Sequence, residues 1–224
     1  SHIATSNPRI KEVFEQWANS DALLSNLEKN EELKSLLIQE TPWLRDAQSE
    51  SEQKKRIGLL FNMNKMQHEE ALALNKLSQN QKANGSWPWF NGGPENRYIT
   101  QHILTGLGHL KHLNVNSATD SRQTEMIDKA IGYLDSEFVK EYDEMKKYAK
   151  NINDDHLGAT QVHYLYMRSF FKEIKTSKKV DEVTAYYINQ AHEYWKNRGL
   201  YAQGMLALTL HRNEDLKTST KILR

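Results

Sequence analysis

The chain contains no cysteine, which removes disulfide staples, thiol nucleophiles and thiolate metal sites together. That absence leaves the compartment open. Proline is scarce as well: the four are Pro8, Pro42, Pro88 and Pro94, so the stretch from Glu95 to Arg224 is free of the strongest helix breaker. No apolar run approaches the roughly 18 to 20 residues that span a bilayer, and no basic start leads into an apolar export signal. An excess of one charge is also missing. Thirty Lys and Arg oppose 29 Asp and Glu, giving a formal charge of +1, so no global field draws nucleic acid or an anionic membrane. The runs Lys54-Lys55-Arg56 and Lys146-Lys147 are short and balanced by acids. Ser1-His2-Ile3 reads as the scar of a cleaved tag, and His2 is set aside.

What is present is helical periodicity. Met126, Ile127, Ala130, Ile131, Leu134, Phe138, Tyr142 and Met145 recur at three- and four-residue steps, which predicts a long helix starting near Arg122. Shorter stripes occur at Ile57, Leu60 and Phe61, at Ala71, Leu74 and Leu77, and at Ile99, Ile103, Leu107 and Leu110. Others follow at Leu157, Gln161, Tyr164, Leu165 and Phe171, at Val183, Tyr187, Ala191 and Tyr194, and at Tyr201, Met205 and Leu208. No alternating segment bounded by hairpin turns competes as a strand. A mean hydropathy of -0.79 fits long helices with broad solvated faces.

Helix ends carry their own chemistry. Ser51 or Glu52 can open one helix, while Gly85, Gly92 with Gly93, and Gly199 are expected to supply the positive φ that stops others. The fold class is therefore all-α, built of helical hairpins with short links and one longer loop at 84 to 97. Residues 1–50 read as an N-terminal helical segment leading into hairpins over 51–224. The tail Asn213-Glu214-Asp215, then Leu216 to Arg224, reads as the start of a further helix.

An internal repeat underlies this organisation. Leu77-Ser78-Gln79, Gly85, Tyr98-Ile99-Thr100-Gln101 and Leu107 lie beside Tyr194-Trp195-Lys196, Gly199, Tyr201-Ala202-Gln203 and Leu208. Each half has an amphipathic helix, a glycine turn and a Tyr-led helix with small residues, among them Gly106, Gly108, Gly204 and Ala207, that permit close approach.

The segment Gln81-Lys82-Ala83-Asn84-Gly85-Ser86-Trp87 is followed by Pro88-Trp89-Phe90-Asn91-Gly92-Gly93. Physically, Gly85 permits a turn, and Trp87 and Trp89 bring apolar area that can seal adjacent helix ends. The pattern resembles the QW-type turn of α/α toroids, the fold shared by terpenoid cyclases, prenyltransferase β subunits and complement-type thioester domains. There the glutamine caps a helix end and the tryptophan stacks over the turn. Together with Glu40-Thr41-Pro42-Trp43-Leu44-Arg45-Asp46-Ala47, Arg97-Tyr98-Ile99-Thr100 and Tyr164-Leu165-Tyr166-Met167-Arg168-Ser169-Phe170-Phe171, the chain resembles bacterial alpha-2-macroglobulins over most of its length. These are cell-envelope protease traps built of β-sandwich domains with one helical toroid.

The resemblance implies an α/α toroid, incomplete as it stands, that docks against neighbouring macroglobulin β-sandwich domains. It implies target proteases as partners of the full-length protein, and a periplasmic or cell-envelope location with any signal or anchor outside this segment. Working members carry a thioester motif; here the nearest match is Glu50-Ser51-Glu52-Gln53, with Glu52 and Gln53 in the Glu-Gln positions and Glu50 in place of the cysteine. Without cysteine no thioester forms, so the expectation is a non-catalytic scaffold or interaction domain with no cofactor and no metal.

Other constellations are weighed beside it. His102, His109 and His112 are spaced by seven and three and could share a metal, but a polar helix stripe is the simpler reading. Asp154-Asp155-His156 reads as the N-terminal cap of a helix at Leu157. Tyr164, Tyr166, Phe170, Phe171, Tyr186, Tyr187, Tyr194 and Trp195 read as core. Arg168 amid them reads as an anchor that needs a carboxylate or free carbonyls. The competing function is a toroid enzyme of polysaccharide lyase or cyclase type, with Tyr98, His156, His163, Tyr164 and Arg168 as interaction or pocket residues of a central hollow. A plain helical-repeat adaptor is the third reading.

Overall fold

The computed structural model describes residues 63–113 and 121–224, and the chain divides into the units Ser1–Lys76 and Leu77–Arg224. Among the described residues the elements are α1 (Met63–Asn80), β1 (Trp87–Pro88), β2 (Glu95–Asn96), α2 (Arg97–His112) and α3 (Ser121–Tyr148). There follow α4 (Ala159–Arg168), α5 (Lys178–Tyr194), a 3-10 turn (Trp195–Asn197), α6 (Leu200–Arg212) and α7 (Leu216–Ile222). The chain is mostly helical, as its periodicity requires. Among the described residues the helices are accompanied by a two-residue antiparallel ladder pairing Trp87 with Asn96 and Pro88 with Glu95.

Among the described residues, α2, α5 and α7 start on side-chain caps. Asn96 accepts from the Ile99 N–H at 2.9 Å, Ser177 from the Val180 N–H at 3.2 Å, and Asp215 from the Thr218 N–H at 3.0 Å. The last turns carry cations that complement the helix dipole: Lys111 in α2, Arg168 in α4 and Arg212 in α6.

Contacts across the helices give their directions. From α2 to α4 the partners rise together, Gln101 with Thr160, Thr105 with His163, and His109 with Tyr166. Between α4 and α6 they rise too, Leu157 just before α4 meeting Arg198 just before α6, and Ser169 meeting Arg212. Helices α2, α4 and α6 therefore form a parallel row. From α3 to α4 the order reverses, Glu141 with Gln161, Phe138 with Tyr164 and Asp135 with Arg168. Helix α3 runs antiparallel against α4, touches α2, and carries α5 on its side. Each helix that reverses direction thus brings the next-but-one helix back in the same direction.

The core follows the α3 stripe. Met126, Ala130, Ile131, Leu134, Phe138 and Tyr142 are all buried. Phe138 stacks on Tyr164 with ring centroids 3.8 Å apart and lies 5.2 Å from Tyr187. Burying each of Met126, Ile131, Leu134 and Phe138 contributes about 1.5–3 kcal/mol. The α6 stripe was expected to face inward throughout, yet only Met205 is buried while Tyr201 and Leu208 are exposed. Helix α6 is packed on α4 and α7, and it buries Leu206, Ala207, Thr209 and Leu210 instead.

Arg168 is 8% exposed and finds both kinds of partner that burial demands. Its Nε lies 3.4 Å from Asp135 Oδ1, Nη2 donates to the Ile174 carbonyl at 2.7 Å, and Nη1 donates to the Phe171 carbonyl. Tyr164 donates to the same Asp135 oxygen at 2.6 Å. Replacing Arg168 by Met leaves Asp135 without its cation and two carbonyls without donors. Urea unfolding should show a loss of about 3–5 kcal/mol, the usual cost of breaking a buried pair, and a cycle with Asp135→Asn should be less than additive.

Candidate functional site

The turn after α1 is organised by one glutamine. Gln81 Nε2 donates to the Gly85 carbonyl at 2.9 Å and to the Met126 carbonyl of α3 at 2.8 Å, so one amide closes the turn and ties it to another helix. Gly85 has φ of 90°, and a Cβ there would lie 2.2 Å from the Lys129 carbonyl oxygen. Both conformation and space call for glycine. Asn84 Oδ1 accepts from the Ser86 N–H at 3.1 Å and hydroxyl at 2.7 Å, a local turn closure.

Trp87 is buried, and its indole N–H donates at 2.8 Å to the Leu77 carbonyl, one of the last four of α1 that no intrahelical donor reaches. Its backbone N–H donates to Thr100 Oγ1 at 2.9 Å, and Thr100 in turn donates to the Asn96 carbonyl at 2.8 Å. Trp89 does not seal a helix end: it is 66% exposed and its neighbour Phe90 64%. The strand ends at Pro88, and both aromatics ride on the turn beyond it, where Gly92 has φ of 78°.

A second group of sequence-marked residues lies along the α2–α4 seam. Tyr98, 56% exposed, sets its ring 6.1 Å from His102 and 5.9 Å from His163. His163 Nε2 lies 3.1 Å from Thr105 Oγ1, and that hydroxyl already gives its only proton to the Gln101 carbonyl at 2.8 Å. His163 therefore donates, which assigns the neutral ring its proton on Nε2. Burial lowers the His163 pKa from 6.5, with His102 adding to the effect. Further along, His109 Nε2 is 2.8 Å from Tyr166 Oη, and the Arg212 guanidinium covers the Phe170 ring at 3.8 Å.

The residues marked for an enzyme pocket do not converge. Tyr164 and Arg168 face Asp135 on α3, whereas His163 faces α2, as a rotation of about 100° per helical residue requires. Burial and Asp135 push the Tyr164 phenol well above 10, so it serves as a hydrogen-bond donor. Burial also raises Asp135, against the lowering by Tyr164 and Arg168. His156 lies in the loop before α4, its N–H donating to Gln190 Oε1 at 2.8 Å and its ring 2.9 Å from the Asn151 carbonyl.

Two expectations about helix ends are corrected. Helix α4 starts at Ala159 behind Gly158 with no side-chain cap, two residues later than expected; Asp155 accepts from the Leu157 N–H at 3.3 Å through Oδ1 and pairs through Oδ2 with Arg198, which also donates to the Leu157 carbonyl. Gly199 has φ of -68° and precedes α6 in extended conformation, so it opens a helix rather than stopping one. Leu157 and Phe171 fall just outside α4 though both are buried. Asp135 and Thr100 were not anticipated. The available signal was a lone acid or hydroxyl inside an apolar stripe, Asp135 next to Leu134 and Thr100 next to Ile99.

Glu50, Glu52 and Gln53 lie outside the described residues. Among the described residues no group of three His, Asp or Glu side chains is placed to hold a metal ion. His109 and His112 instead turn their rings on Phe170, at 5.0 and 6.4 Å. A groove of 780 Å³ is lined by α3 and the start of α5, including Val139, Lys140, Asp143, Lys147 and Lys179. Lys179 lies 3.4 Å from Asp143 in it, and none of the residues marked for a pocket lines it. No helix among the described residues is long and apolar enough to cross a membrane. No family model, curated protein or solved structure matches the chain.

The turn offers a sharp test. Gly85→Ala should cost about 3 kcal/mol or more, since a backbone clash adds to an unfavourable φ. Gly106→Ala, at a helical site with open space around it, should be neutral or slightly stabilising. Comparable losses in urea melts of the two variants would contradict this account of the turn.

Proposed function

We propose that this chain is a non-catalytic interaction domain, an α/α toroid region of a bacterial alpha-2-macroglobulin-like protease inhibitor. The observation that supports this reading most directly is the turn in which Gln81 bridges two carbonyls, Gly85 adopts a left-handed conformation and Trp87 satisfies the end of α1. Those are the positions on which the QW-type resemblance rests. The parallel row α2, α4, α6 flanked by α3 is the packing that successive helical hairpins of a toroid would make.

The chain has no cysteine, so any capture by the full-length protein is non-covalent at this domain. Its partners are the neighbouring macroglobulin β-sandwich domains and, through the whole protein, a target protease in the periplasm or cell envelope. Glu50, Glu52 and Gln53 take the place of the thioester segment in this reading, without its chemistry. A lyase or cyclase is less favoured, because His156, His163, Tyr164 and Arg168 point to different partners.

The test uses the full-length inhibitor. After cleavage by a protease it should become more compact in small-angle scattering and retain the protease through gel filtration, and denaturing detergent should release that protease intact. Retention that survives detergent, or cleavage without retention or shape change, would remove the proposal.

A further inference from the structure

Two histidines occupy the seam between α2 and α4, each set against a hydroxyl of the facing helix and neither against a carboxylate. His163 of α4 donates to Thr105 of α2 at 3.1 Å, and His109 of α2 lies 2.8 Å from the Tyr166 hydroxyl of α4. The groups around them are neutral or cationic. His163 faces Tyr98 and His102 of α2. His109 faces His112 of its own helix and Arg212 of α6, whose guanidinium also lies 5.2 Å from the Tyr166 ring.

The remaining charges at that end are already engaged. Lys111 of α2 pairs with Glu173, the carboxylate that follows α4, and Lys172 donates to the Arg212 carbonyl. A proton added to either imidazole therefore meets another cation or an aromatic ring before it meets a free acid.

We propose that the α2–α4 seam is an acid-sensitive clasp, closed while His109 and His163 are neutral and loosened when they take up protons. This inference goes beyond the functional reading above and does not depend on it. Partial loss of water is the main reason both groups sit below the ordinary 6.5, more fully at half-buried His163 than at His109, which is still exposed; Arg212 and His112 reinforce it at His109 and His102 at His163. The sign follows from linkage. The opened chain binds these protons more readily than the closed one, so stability is full above 6.5 and is lost as pH falls through the lowered values of the folded state.

Hydrogen exchange on the full chain, corrected for intrinsic rates, tests this between about pH 7.5 and about pH 5.5, which bracket histidine titration. Amides of Leu104 and Leu107 in α2 should lose several-fold more protection than those of Val183 and Tyr187 in α5, because the lowered histidines tie only the α2–α4 seam to pH. The double variant His109→Gln, His163→Gln keeps amide donors near the two Nε2 positions and should abolish that contrast. Equal loss in both helices, or an unchanged contrast in the variant, would overturn the clasp. If the variant does not fold, the wild-type imidazole signals decide: midpoints below 6.5 support the clasp, and midpoints at or above 6.5 overturn it.

Discussion

The C-terminal half of helix α4 cannot be buried unless Arg168 is neutralised, and much of the fold is arranged around that requirement. The helix contributes Val162, Tyr164, Leu165, Tyr166 and Met167 to the core, so its one guanidinium is almost wholly withdrawn from water. Asp135 supplies the charge, while the carbonyls of Phe171 and Ile174 take the other nitrogens. The same interaction fixes the path of the chain just beyond α4, and Tyr164 shares the Asp135 oxygen. A buried ion pair is weak evidence for net stability, but it is strong evidence for register, because a shift of one residue along α3 would strand both charges.

With α4 held against α3, its opposite side is left to meet α2, and the two seams differ in chemistry. The α3 seam uses a charge pair, stacked aromatics and a carboxylate–amide contact between Glu141 and Gln161. The α2 seam uses hydroxyls, imidazoles and the small residue Gly108, where a Cβ would come within 2.7 Å of Phe170. The second seam thus combines close approach with two imidazoles, His109 and His163, whose protonation the surroundings disfavour. The Gln81–Trp87 turn holds α2 from its other end, since Trp87 reaches back to α1 and forward to Thr100. Positioning of α2 rests on hydrogen bonds at its start and on the histidine seam along its length.

Much of the helical framework was legible because its signals are local. The α3 stripe marked a helix and its buried face, since positions three and four apart share a side of the cylinder whatever lies opposite. Gly85 was legible for a similar reason: its conformation excludes a side chain, and the neighbouring asparagine, serine and tryptophan announce a turn. Arg168 was recognisable as an anchor because an ion inside an apolar run must find partners. Asp155 was misleading, since an acid before a helix can cap it or pair elsewhere, and Arg198 lies 43 residues away in sequence. Trp89, Tyr201 and Leu208 misled in the opposite sense. An apolar residue at the right spacing is core only if another element covers it, and these are exposed.

The sequence by itself therefore determined the all-helical class, the left-handed position at Gly85 and the absence of thiol chemistry, because each depends on the properties of a residue and its immediate neighbours. Only the tertiary structure decided that Asp135 is the partner of Arg168 and that α2, α4 and α6 run parallel. It also decided that His163 looks to Thr105 while Tyr164, one position on, looks to Asp135. Those choices depend on which surfaces meet, and periodicity along one helix specifies a face without specifying what is pressed against it.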